Sequence, residues 1–146
     1  MKRLAIIFAL VLPLAAGGCA NSNIGAFLQN LADVESQAVE TVNKIRAGVA
    51  VASAAVDQTI TSVCAAVPQL NAGMQNFMAA VPNPGPRTKD AIRTASISLT
   101  TASNACSAYL TAPPSATGRV TVLRNLWAAY TAAKQSLAAA NAAAGA

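Results

Sequence analysis

Three cysteines, Cys19, Cys64 and Cys106, carry most of the reactive chemistry in this chain of 146 residues, which contains no histidine. A thiol acts as a nucleophile through its thiolate, usually generated by a neighbouring imidazole. Without histidine there is no Cys-His pair, no Ser-His-Asp triad and no imidazole ligand for the common zinc sites. The carboxylates are Asp33, Glu35, Glu40, Asp57 and Asp90. The first three are spaced so that a helix spreads them around its circumference, which is a solvated face rather than an acid-base pair. The eight glycines are scattered and form no phosphate-binding loop. We therefore expect no catalytic residues, no metal ligands and no cofactors, and we read the cysteines as covalent anchors of structure.

Cys19 stands at the end of a three-zone segment. Lys2 and Arg3 are basic, Leu4 to Leu12 form an apolar run, Pro13 ends it, and Ala15-Ala16-Gly17-Gly18 leads into the cysteine. This is the layout of an export signal over residues 1–18. The run is shorter than the roughly 20 apolar residues that cross a bilayer, so it reads as a cleaved signal rather than a permanent span. Leu14 to Cys19 resembles the lipobox of bacterial lipoproteins, with Ala16 where that family usually has Leu. The resemblance implies that Cys19 is acylated, becomes the first residue of the mature chain and tethers it to a membrane. Ala20 rather than Asp after it would, in a Gram-negative cell, imply sorting to the outer membrane, facing the periplasm. The alternative is ordinary cleavage after Gly18 or Ala20, which releases a soluble periplasmic or secreted protein.

With Cys19 assigned to lipid, Cys64 and Cys106 remain as an even pair in an oxidising compartment. The elements that must position them are helices. About a quarter of the chain is alanine and aromatic residues are few, which suits closely spaced helices. From Ile24 to Val67 apolar residues recur with a mean spacing near 3.6, the period of a straight α-helix. Asn23 is a candidate N-cap, Glu40 and Lys44 form an i,i+4 pair, and Pro68 marks a kink or the first turn of a short second helix. The sequence Pro82-Asn83-Pro84-Gly85-Pro86 cannot be helical and reads as a turn. Thr88 would cap a helix ending before Pro113 and Pro114, and a last helix would start near Thr117 or Gly118, its alanine-rich tail fraying after Asn141. Cys64 and Cys106 each stand 21 residues from Gly85. Residues equidistant from a helical turn lie level, so the pair is expected to form a disulfide.

The expected fold class is all-α: a long N-terminal helix, an antiparallel helical hairpin and a third helix, making a three- or four-helix bundle. Residues 19–58 would be tether and stalk, and residues 59–140 a disulfide-closed bundle, within a mature domain of 19–146. Folding back at Gly85 leaves residues 24–58 without a partner, with Leu28, Leu31, Val34, Ala38, Val42, Ile45 and Val49 as a candidate association stripe. Either the helix breaks near Ala47-Gly48 and completes a compact bundle, or the stripe packs on a copy of the chain or another envelope protein. Parallel tethering on one membrane favours association.

The mature chain has eight basic and five acidic side chains, and its cations are dispersed rather than clustered with aromatics, which argues against nucleic acid as a partner. Gln58 to Pro86 and Thr94 to Gly118 contain no charge. Alongside each other, these neutral stretches could form a docking surface for a protein or glycan, or a sheath for an apolar ligand beside Met74, Phe77 and Met78. The leading functional reading is a lipid-anchored cell-envelope protein with a structural or assembly role through helix packing. A periplasmic binding module for an apolar ligand or client protein is the alternative. In plan the chain resembles murein lipoprotein, a lipidated helix, but it ends Ala144-Gly145-Ala146 instead of the lysine that joins that family to the wall.

Overall fold

The computed structural model describes the backbone of residues 20–145 and the side chains of residues 24–145 other than 33. The expected signal segment and Cys19 lie outside the described residues. Five helices follow in order: α1 (Ala20–Asn30), α2 (Ala32–Arg46), α3 (Ser53–Ala80), α4 (Pro86–Thr111) and α5 (Ala116–Gly145). Among the described residues the chain is all-helical, packed as a helical bundle with a single continuous core. No described helix is long and apolar enough to cross a membrane.

The long helix read from Ile24 to Val67 is broken at two places, at Leu31, where no break was expected, and near Ala47-Gly48, one of the two alternatives stated above. At Leu31 the backbone relaxes to φ −84°, ψ −1°, and this local unwinding separates α1 from α2. The larger break spans residues 47–52. Gly48 adopts φ +72°, its N–H donates to the carbonyl of Ile45 at 3.2 Å, and the N–H of Val49 donates to that of Lys44 at 2.9 Å. This pair of reversed bonds around a left-handed residue is a Schellman termination, which satisfies the last carbonyls of α2 and turns the chain away. Asn23 accordingly falls inside α1 rather than at a cap.

The breaks dispose of the unpartnered helix. α1 and α2 both pack against α3 and α5. Leu28, Leu31, Ala38, Val42 and Ile45 of the candidate association stripe are buried in the core, Val34 packs at its edge, and only Val49, in the loop, is largely exposed. A stripe that would have cost free energy facing water is covered by the chain's own helices. Residues 19–58 therefore do not stand apart as a stalk over the described part of that range.

α3 and α5 each touch all of the other four helices, α4 meets only these two, and α5 is the longer of the pair. Its buried face runs Leu123, Leu126, Tyr130, Ala133, Leu137 and Ala140 at alternating steps of three and four. Ala133 and Ala140 on α5, with Ala95 and Ala102 on α4, are fully buried. Small side chains at those positions let the helix axes approach closely, which is how an alanine-rich chain reaches native packing density. α5 is helical to Gly145, with Ala144 against the core, so the expected fraying after Asn141 is not seen.

α3 runs through Pro68 without interruption. Proline lacks an N–H and cannot bond to the carbonyl of Cys64 four residues earlier. Packing of ten buried α3 residues against the neighbouring helices holds the helix across that gap. Cys64 and Cys106 form a disulfide with Cα atoms 5.6 Å apart, linking α3 to α4. In the chain-entropy model a loop of this length stabilises the fold by about 4 kcal/mol.

Candidate functional site

A groove between α3 and α4 is lined mostly by the neutral stretches singled out from the sequence, with Lys89, Ile92 and Arg93 from the charged segment between them. The α4 helix begins at Pro86, whose fixed φ suits a first helical position, with Gly85 in extended conformation before it. Thr88 thus sits in the first turn, buried, instead of capping the helix. Two adjoining cavities lie between α3 and α4, one along the middle of the helices and one beside the turn 81–85.

The first cavity, about 350 Å³, is lined mainly by polar side chains: Asn71 and Gln75 from α3, and Ser96, Thr100, Ser103 and Asn104 from α4. The second, about 500 Å³, is mostly apolar, with Met74, Met78 and Val81 facing Ile92 and Ile97. Lys89 and Arg93 also line it, with Pro82 and Pro84 of the turn. Met74, Gln75 and Ser96 border both cavities, so the two form one trough. No carboxylate lines either half. Ile97, at the edge of this apolar surface, is 60% exposed. Phe77, expected beside Met74 and Met78, is instead in the core at 1% exposure and contributes nothing to the trough.

Two charge clusters tie the bundle together away from this groove. The Tyr109 hydroxyl donates to Asp57 Oδ1 at 2.5 Å, and Arg119 Nη1 donates to Oδ2 at 2.6 Å while its Nε holds the carbonyl of Pro114 at 3.0 Å. One carboxylate thereby joins the start of α3, the end of α4 and the start of α5. The bond to Asp57 holds the Tyr109 phenol above its ordinary pKa. In the second cluster Lys134 pairs with Glu35, and the Tyr130 hydroxyl lies 3.5 Å from the same carboxylate. Burial chiefly, and the charge of Glu35 next, push the Tyr130 phenol upward. Each carboxylate is paired with a cation, Asp57 with Arg119 and Glu35 with Lys134. Trp127 stacks on Tyr130 with ring centroids 5.6 Å apart.

Glu40 and Lys44 form the expected surface pair at 2.6 Å, which draws the Glu40 carboxyl below its usual pKa. Among the described residues no three potential ligands gather into a metal site. The Asp57 and Glu35 clusters were not legible in the sequence, since each carboxylate stands 52 to 99 positions from its partners. The cations of the groove had a signal, namely Lys89 and Arg93 one turn apart, immediately before the neutral run that starts at Thr94. The chain matches no protein-family model, no curated protein and no solved structure.

Proposed function

We propose that this chain is an exported cell-envelope protein, anchored by lipid on Cys19, whose helical bundle serves as a binding module. In this reading α3 and α4 are an antiparallel hairpin closed by the Cys64–Cys106 disulfide, and the ligand or client segment lies in the trough between them. The observation that carries it is the 500 Å³ apolar cavity with Ile97 exposed at its edge, in the size range of ligand sites. A structural role through helix packing has less support, because the stripe that would have mediated it is occupied within the chain.

The groove is tested with Nile red, a neutral apolar dye. Saturable binding at about one dye per chain is expected, with Ile97→Asp abolishing it while the circular dichroism spectrum stays native. Dye binding that ignores the substitution would place the ligand elsewhere. Anchoring is tested by the intact mass of membrane-extracted protein beside a Cys19→Ala control. A mass matching unacylated residues 21–146 would refute the lipid anchor and leave the binding reading standing.

A further inference from the structure

Resting on the binding reading above, we infer that the occupant of the α3–α4 trough is an extended peptide segment with an apolar C-terminal residue and a free terminal carboxylate. Three features of the trough select this occupant. The first is its division into unlike halves. An acyl chain laid along the trough would cover Asn71, Gln75, Thr100 and Asn104 without offering a hydrogen bond, and each polar group buried unpaired carries a penalty. A peptide backbone presents an N–H and a carbonyl at every residue, which carboxamides and hydroxyls can satisfy in either direction.

The second feature is charge. Like Arg46, Arg87 and Arg124, Lys89 and Arg93 have no ion pair or side-chain hydrogen bond among the described residues, and of these five only Lys89 and Arg93 line the trough. They border the apolar half, and no acid lines the trough to neutralise them. A planar guanidinium and an ammonium beside an apolar cavity suit a carboxylate placed directly after an apolar side chain. The third feature is length. From Pro68 to Val81 the helix rises about 20 Å, which an extended segment of about six residues spans. Such a segment would set its backbone over the polar half, its last side chain among Met78, Val81 and Ile92, and its terminus on the two cations.

The probe is a library of hexapeptides attached through their N-termini, with free or amidated C-termini, panned on the full chain. Enrichment of Leu, Ile, Val, Met or Phe at the last position is expected among free acids. Amidation or the double substitution Lys89→Gln with Arg93→Gln should lower the affinity of an enriched peptide about tenfold or more. Nile red binding should survive that double substitution, which shows that the bundle is folded and the groove intact. No enrichment, equal binding of acid and amide, or displacement of the dye by palmitate but not by peptides would overturn the inference. If Nile red binds as expected while peptides fail, only the inference falls. If Ile97→Asp leaves dye binding unchanged, the binding reading falls first.

Discussion

Individual side chains report on the core through their titration and their size. Tyr130 is held by burial and by Glu35 above the usual phenol pKa of about 10, and Tyr109 is raised by its bond to Asp57. A group whose folded-state pKa is raised contributes stability that is fully present below the unfolded value and is lost as pH rises toward the folded one. Stability should therefore fall above about pH 10, and Tyr130→Phe should flatten that fall; urea midpoints measured at pH 8 and pH 11 check it. Gly73 answers to size instead. A methyl built there would run into the ring of Phe27 on α1. Overpacking costs about 1–3 kcal/mol, partly offset by about 1 kcal/mol of improved helix propensity. Gly73→Ala should thus be destabilising by about 1 kcal/mol and should loosen α1 first, as faster amide exchange over residues 20–30 would report.

At the scale of elements, the sequence made the helical class, the proline-rich turn and the pairing of Cys64 with Cys106 readable, because each depends on local rules of period, proline and distance from a turn. It concealed the break at Leu31, where Asn30-Leu31-Ala32 contains no glycine or proline and the apolar period runs on through it. The break at Gly48 was visible only as a candidate. What decides it is a left-handed backbone angle together with two reversed hydrogen bonds, and the free energy comes from covering the α1–α2 stripe with α3 and α5. An L-residue at φ +72° costs about 1–2 kcal/mol. Gly48→Ala should lower stability by about that amount, whereas Gly85→Ala, at a negative φ of −64° open to any residue, should cost less. Denaturant titration of the two variants side by side makes the comparison. The candidate site was half legible: its methionines and uncharged polar side chains could be read along the chain, but the inward turn of Phe77 could not.

For the molecule as a whole, burial of the association stripe predicts a monomer. Light scattering at micromolar concentration should give the mass of one chain. A dimer dispersed by Val49→Asp would instead restore association through the exposed loop, where Val49 is 53% accessible. The disulfide has one more consequence at this scale, which appears when the chain is put under tension. Tension applied between the chain ends reaches α1, α2 and α5 directly, but the stretch enclosed by Cys64 and Cys106, with a sequence separation of 42, is bypassed by the covalent bond. Stretched in an optical trap, the oxidised chain should come up short by roughly 140 Å of contour length, which reduction returns. Much of the trough-bearing α3–α4 segment is thus shielded from extension while the rest of the chain yields.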